Sequence, residues 1–362
     1  VFNAKIRIAP FFRANPMPLT PEQRERYSRQ ILFHGLGAPG QERLLASSAV
    51  LVGCGALGTV VANLLVRAGV GRLRIIDRDF VEPSNLQRQT LFEESDARDA
   101  LPKAVAAERR LQAINSSVRV EAVVEDLTPD SADELLQGFP LILDGTDNFE
   151  TRLLINDAAI SLGVPWIYAA AVGSYGVTMT ILPGHSACLA CLLESSAGET
   201  VRAEETCDTA GVLNSAAGTI AAIQAAEAIK LLAGRPDALN HRLISCDVWT
   251  GKFRSIRVER NPACRACVQR NLKYLNGHAH AHISMCGRDS VQIHERGRKI
   301  DLSELGRRVT GATGAPVRQN DFLLRFSVEP YEVTVFPDGR AIIKGTQNPA
   351  VARSLYAKYV GN

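Results

Sequence analysis

The most specific chemistry in this 362-residue chain lies in two Cys-x-x-Cys pairs, Cys188/Cys191 and Cys264/Cys267. Four thiolates suit the tetrahedral preference of Zn2+, and a site filled by four protein ligands keeps no open position, so it is structural and not catalytic. Such a site would staple a crossover loop to the end of a domain. A second feature is Gly53-x-Gly55-x-x-Gly58, set between strand-like Ala49-Val-Leu-Val and a helical stretch from Thr59 to Ala68. Glycine lets the backbone approach a phosphate, and the helix N-terminus offers N–H donors and positive potential. Asp77 ends the next strand, Leu73 to Asp77, where a carboxylate can hold ribose hydroxyls. These residues alone say nucleotide, with NAD the commoner occupant.

The segment that follows shifts the reading. Asp77-Arg78-Asp79 leads to Ser84-Asn85-Leu86-Gln87-Arg88, which places a cationic, polar cluster just beyond the nucleotide-binding strand. Hydride transfer has no need of it. Chemistry at a triphosphate does, because charge builds on the α-phosphate and the departing pyrophosphate. Lys103 opens a helix after Pro102 and is a second candidate phosphate ligand. Asp147, in Asp144-Gly-Thr-Asp-Asn148, follows a buried strand and is suited to Mg2+. A helix cap for Asp147 and a solvated position for Lys103 are the competing structural readings.

Three further cysteines carry less. Cys54, inside the glycine-rich turn, and Cys246, after strand-like Leu243-Ile-Ser, read as packing residues. Cys207 lies in a polar stretch with two acidic residues upstream and a long helix downstream. A thiol on such a loop could attack an activated acyl group, yet the acidic neighbours disfavour its thiolate, and both readings stay open.

These residues need a scaffold, and the pattern supplies one. Further strands are expected at 118–124, 141–144, 166–171 and 177–182, and helices at 103–113, 151–162 and 216–232. Alternating strands and helices predict an α/β fold: a Rossmann-like, mostly parallel sheet with helices on both faces and the zinc knuckle attached. Residues 1–19 form a lead-in, and Thr20-Pro-Glu-Gln23 reads as a capped helix start opening the main domain, with the cysteine knuckle, over 20–270. A linker over 271–284 follows, with His278, His280 and His282 read as solvated and not metal-bound, since alternate side chains of extended chain face opposite ways. Residues 285–362 form a small C-terminal α+β domain, with strands at 290–294, 322–328, 331–336 and 341–344 and helices from Asp301 and Pro349.

Bulk properties narrow the partners. A net charge of +3 gives no field that would attract nucleic acid or an anionic membrane. The apolar stretch 210–232 is broken by Asn214, Gln224, Glu227 and Lys230, so it reads as a buried helix and not a membrane span. No apolar core with a small-residue cleavage site stands near the N-terminus, and the cysteines pair as metal ligands. The expected compartment is cytoplasmic.

Taken together, the motifs resemble the ThiF/MoeB family of ubiquitin-activating-enzyme-like adenylyltransferases. The resemblance runs from Arg26-Tyr-Ser-Arg29-Gln30 to Cys267 and includes the glycine-rich turn, Ser84 to Arg88, Pro102-Lys103, Thr146-Asp-Asn148, both cysteine pairs and Thr206-Cys207-Asp-Thr-Ala-Gly211. Leu101-Pro-Lys-Ala-Val-Ala-Ala, Tyr168-x-x-x-Val-Gly-Ser-Tyr-Gly176 and Met285-Cys-Gly-Arg-Asp-Ser-Val-Gln292 are similar to ThiF proteins with a C-terminal extension. The resemblance implies ATP, Mg2+ and Zn2+ as cofactors. It implies Asp77 on the ribose, and Asn85, Gln87, Arg88 and Lys103 on the phosphates. Gly53, Gly55, Ala56, Gly58, Asp79, Ser84, Leu86 and Asn148 complete the nucleotide site, with Asp147 on Mg2+. Arg29 would reach the nucleotide of the neighbouring subunit in a homodimer, and Cys207 matches the family's crossover-loop cysteine. Ala56 departs from the family, where many members have a third glycine.

The expected reaction is attack of a peptide carboxylate on the α-phosphate of ATP, giving an acyl adenylate and pyrophosphate. The substrate would be a ubiquitin-like sulfur-carrier protein ending in Gly-Gly, thin enough at its tail to reach a buried phosphate. A separate persulfide donor would then supply sulfur for a thiocarboxylate in thiamine (thiazole) biosynthesis. A molybdopterin-synthase or other carrier is the alternative within the class. An NAD-dependent oxidoreductase and a non-catalytic dimeric binding module are alternatives from other classes.

Overall fold

The computed structural model describes residues 16–194, 210–277, 290–294 and 299–361. The chain divides into two compact units, Val1–Ala279 and His280–Asn362.

In the first unit eight strands form one sheet: β1 (Ser48–Val52), β2 (Arg72–Ile76), β3 (Arg119–Val123), β4 (Ile142–Asp144), β5 (Trp166–Val172), β6 (Tyr175–Ile181), β7 (Leu243–Asp247) and β8 (Lys252–Ile256). Their order is β3-β2-β1-β4-β5-β6-β7-β8, with β1 to β5 parallel and the last three strands antiparallel. Strand alternation divides the core in two. Ala49 and Leu51 of β1 pack with the helices Ala56–Ala68, Lys103–Ile114 and Asn214–Leu232. Val50 and Val52 face the opposite way, toward the helix Phe149–Leu162 and the cysteine-bearing helix Leu189–Glu194. A strand buried on both faces needs apolar residues at every position, which is why β1 reads as a continuous Ala-Val-Leu-Val run.

Register decides what meets at the sheet's carboxyl edge. Val52 pairs with Ile76 on one side and Asp144 on the other, so the next residues, Gly53, Asp77 and Gly145, emerge together. The chain leaves β1 in both directions here, which opens the crevice where ligands bind in such sheets.

Helix starts follow the sequence signals. Thr20 caps Pro21–Arg26 in a full capping box with Gln23. The helix expected from Thr59 begins earlier, at Ala56. A helix over Gly37–Leu45 and the edge strand β8 carry no clear sequence signal: the first contains Gly37, Pro39 and Gly40, and every residue of the second is exposed. Among the described residues no helix is long and apolar enough to cross a membrane.

The second unit is a five-stranded antiparallel sheet: β9 (Ser290–His294), β10 (Arg318–Gln319), β11 (Leu324–Val328), β12 (Tyr331–Val335) and β13 (Arg340–Lys344), in the order β10-β11-β12-β13-β9. Phe326, Val333, Val335, Ala341 and Ile343 pack on the helices Leu302–Thr313 and Pro349–Tyr359. The first of these is capped by Asp301, whose carboxylate accepts from the amides of Ser303 and Glu304.

A methyl group added at Gly145 would lie 2.4 Å from the Gly53 carbonyl oxygen, with only backbone to yield. Gly145→Ala is therefore expected to cost about 3 kcal/mol in urea unfolding, at the upper end for overpacking. Gly218→Ala, mid-helix with nothing within 4 Å, should instead gain about 0.5–1 kcal/mol.

Candidate active site

The glycine-rich turn is shaped by backbone packing against backbone. Gly53 has φ +88° and hydrogen-bonds through its amide to Ile76 O. A Cβ on Gly58 would meet the Gly53 carbonyl at 2.0 Å, and one on Gly53 would meet Gly145 at 2.7 Å. Gly55 differs, for a Cβ there finds nothing closer than 3.9 Å. Its smallness leaves room at the sheet edge where a ligand backbone or phosphate can come close. Gly55 is also the N-cap of Ala56–Ala68 and supplies no side-chain acceptor, so the first amides of that helix keep their donors for an anion. Ala56 sits in the first helical turn and is not among the residues with positive φ, so alanine brings no backbone strain to this position. Cys54 is fully buried, and burial pushes its thiol well above the ordinary range, as befits a packing residue.

Asp77 anchors this turn. Its carboxylate accepts from the Cys54 amide at 2.6 Å and the Asp79 amide at 2.7 Å. Burial raises its pKa from the ordinary value, against the opposing pull of Lys103. A carboxylate has about four lone-pair sites, so acceptor capacity remains beyond these two amides. Lys103 is not solvated: its side chain is 5% exposed and its ammonium pairs with Asp79 at 3.0 Å. The reason is local, because the Lys103 amide also binds the Asp79 carbonyl at 2.8 Å, drawing the helix start under the loop.

Asn85 is fully buried; its Oδ1 accepts from the Glu82 amide at 3.0 Å, while its Nδ2 has no acceptor. A buried amide donor without an acceptor is a group that a ligand oxygen can satisfy. Arg88 is half-buried and donates to the Ser84 carbonyl at 2.8 Å; Ser84 and Gln87 are exposed, and Leu86 packs on the first core. Arg29, on the short helix Ser28–Ile31, is exposed.

At the end of β4, Asp144 is fully buried and takes both the amide and the hydroxyl of Thr146, at 2.9 and 2.7 Å. Burial raises its pKa, and Arg152 works against that rise. Asp147 is exposed, and the cap of Phe149–Leu162 belongs to Asn148, whose Oδ1 accepts from the Thr151 amide. The cap reading of Asp147 is thus corrected: Asn148 stands one residue nearer the helix and takes that job.

Sequence reasoning passed over three residues here. Gly145 closes the turn, Arg152 lies behind it, and Arg78 pairs with Asp126 at 2.5 Å. Burial works against the charge of Arg78, and Asp126, Asp79 and Asp147 together outweigh that cost. A signal for each existed: a glycine directly after a strand-ending Asp, an Arg in the first turns of a helix, and an Arg between two Asp.

The four thiols converge as expected. The Cys188, Cys191, Cys264 and Cys267 sulfurs lie within 4.8 Å of one another, with Cys188–Cys191 at 3.8, Cys188–Cys264 at 3.7 and Cys191–Cys267 at 3.5 Å. Tetrahedral zinc with Zn–S near 2.3 Å requires sulfurs about 3.8 Å apart, so the pocket fits that ion. The Cys188 thiol lies in hydrogen-bond reach of the Cys191 sulfur, and that contact lowers the Cys191 pKa from its ordinary value. Cys207, and the three linker histidines, lie outside the described residues.

A mostly parallel sheet with a glycine-rich turn, a buried lysine beyond it and a four-thiol knuckle points to a nucleotide-binding α/β protein of the adenylating class. A profile of the ThiF family matches residues 27–266, and the chain belongs to that family. It is 42% identical over 340 residues to the sulfur carrier protein ThiS adenylyltransferase of Bacillus subtilis, covering 93% of this chain and 99% of that one. It is 37% identical over 252 residues to the molybdopterin-synthase adenylyltransferase of Salmonella typhimurium, covering 69% and 99%. Among solved structures, E. coli MccB with ATP matches at a TM-score of 0.58 and 26% identity, over 67% of this chain and 74% of that one. The oxidoreductase and binding-module readings fall with this membership.

Metal analysis of the purified protein is expected to find one zinc per chain. Cys191→Ser should abolish it, and chelation should lower the unfolding midpoint, because ligand binding energy of this kind is folding energy.

Proposed function

We propose that the chain adenylylates the C-terminal glycine of a ThiS-like, ubiquitin-like sulfur-carrier protein at the expense of ATP, preparing it for thiocarboxylate formation in thiamine (thiazole) biosynthesis. The observation that carries this reading is the extent of the Bacillus subtilis match. At 93% of the chain it must run into the second unit, whereas the match to the molybdopterin-synthase enzyme covers 69%.

The chemistry converts a poor acyl donor into a good one. A carboxylate oxygen of the carrier attacks the α-phosphorus of ATP, the bond to the bridging oxygen breaks, and pyrophosphate leaves. No general base is needed, since the nucleophile is already ionised. The chain contributes alignment and counter-charge. Asp77 takes the ribose hydroxyls, and the helix amides after Gly55 face the phosphates. Asn85 offers its orphan Nδ2, and Gln87, Arg88 and Lys103 complete the cationic wall. Lys103 is the strongest of these, because a buried ammonium acts through little water. Asp147 holds Mg2+, which neutralises the leaving pyrophosphate when bound. Arg29 is exposed and serves the nucleotide of a second copy of the chain, which makes the working unit a homodimer. Cys207 attacks the acyl carbonyl to form a thioester with release of AMP, or first takes the sulfane sulfur of a separate persulfide protein and attacks as a persulfide, giving an acyl disulfide and AMP. Thiolate zinc ligands suit the reducing cytoplasm.

Labelled pyrophosphate should exchange into ATP only when a Gly-Gly carrier from the same genome is present. Lys103→Ala and Arg88→Ala are each expected to slow that exchange about 100-fold or more, as loss of a preorganised charge contact does. Carriers that support no exchange in the wild-type protein would sink the reading. Cys207→Ser should leave exchange intact and slow thiocarboxylate formation from a persulfide donor, read by mass spectrometry of the carrier. A wild-type rate there would make Cys207 a loop residue.

A further inference from the structure

We infer that Arg152 is a positioning residue: its guanidinium fixes the Thr146–Asp147 peptide and so aims the Asp147 carboxylate. The inference rests on the adenylylation reading and deepens it.

Arg152 is 7% exposed at its side chain and lies directly behind the end of β4. Its Nε stands 3.5 Å from Asp144 Oδ2, and one terminal nitrogen donates to the Thr146 carbonyl at 2.6 Å. The Phe149 and Tyr168 rings lie 5.3 and 5.7 Å from it. Because a peptide unit is planar, holding the Thr146 carbonyl also sets the direction of the Asp147 amide. Asp144 Oδ1 holds the same turn from its other side, through the Thr146 amide and hydroxyl. The turn before Asp147 is thus gripped at the carbonyl, amide and hydroxyl of one residue.

The placement is otherwise unfavourable. A cation near a helix N-terminus opposes the helix dipole, and a buried ion pair gains little stability over apolar residues. Neutralising Asp144 would need only a positive charge. Spanning a carboxylate and a carbonyl at once needs the planar fork that arginine has and lysine lacks.

The test is binding of Mn2+ with a non-hydrolysable ATP analogue, measured by electron paramagnetic resonance on the full chain, alongside pyrophosphate exchange. Arg152→Lys should raise the half-saturating Mn2+ concentration about tenfold or more, the usual effect of losing a supporting contact behind a metal ligand. Its KM for the carrier should stay at the wild-type value. In an Asp147→Ala background the same substitution should add no further loss of Mn2+ affinity, because its effect passes through that carboxylate. If Arg152→Lys does not fold, Asp144→Asn with Arg152→Leu removes both buried charges together and should show the same rise. Folded variants that bind Mn2+ as the wild type does, or an additive loss without Asp147, overturn the role of Arg152. Wild-type protein that binds no Mn2+ with the analogue overturns the functional reading as well.

Discussion

The structure turns on a contact with no side chains in it. Gly53, Gly58 and Gly145 bring the end of β1, the first turn of Ala56–Ala68 and the end of β4 within backbone contact, so close that a Cβ on any of them would overlap a neighbour at 2.0 to 2.7 Å. Packing this tight admits glycine alone, and it fixes two things together. The helix axis is aimed at the crevice, and the β4 turn is set beside it. The parallel register of Val52 with Ile76 and Asp144 brings the three chain segments level, and the glycines let them close. A ligand phosphate then meets amides whose direction is fixed before it arrives, which is the preorganisation that a charged transition state rewards.

Around this contact the chain buries charge, and the arrangement favours geometry over stability. Lys103 with Asp79, and Arg152 with Asp144, are pairs in which the cation is almost fully removed from water. Such pairs roughly break even against apolar packing of equal volume. Their value is positional. Lys103 is tied to Asp79 through both its ammonium and its amide, so the ion pair and the helix start move as one body. Asp77 joins the same network through the amides of Cys54 and Asp79, which links the glycine-rich turn to the lysine across two strands.

The sequence carried the larger part of this. Ala49-Val-Leu-Val and Leu141-Ile-Leu announce parallel strands buried on both faces because every position is apolar, Leu73-Arg-Ile-Ile does so with one half-buried arginine, and the Thr20/Gln23 capping box is a purely local device. The thiol cluster was legible because spacing and ligand chemistry suffice to specify it. What was not legible depends on tertiary closure. That Lys103 is buried follows from the Asp79 loop folding over it, and nothing in the helix starting at Lys103 encodes the loop's path. Gly145 looks like an ordinary loop glycine until β4 is placed beside β1. The helix Gly37–Leu45 forms against its propensity: it packs Leu44 fully into the first core, and Arg43 donates to the Ala233 carbonyl at 3.2 Å. β8 is exposed along its whole length, so no alternation of burial existed to be read.

One element relates the knuckle to the nucleotide edge. The helix Phe149–Leu162 starts at the Asp147 turn, and its far half holds both cysteine loops. The Leu189 amide donates to Asn156 Oδ1 at 2.9 Å, while Asp157, fully buried, accepts from the Tyr274 amide at 3.1 Å and pairs with Arg265 at 3.4 Å. Arg265 lies between Cys264 and Cys267, so the carboxylate grips the second knuckle from inside. From Asn148 to Asp157 is nine residues of helix, about 14 Å of rigid rod. A metal that holds the two cysteine loops together therefore clamps one end of the rod whose other end presents Asp147. Burial drives the Asp157 pKa up, and Arg265 opposes that rise, so the clamp depends on an arginine that the knuckle itself must hold in place. A metal bound by the four thiols would, on this geometry, be part of what keeps the carboxyl edge of the sheet in order.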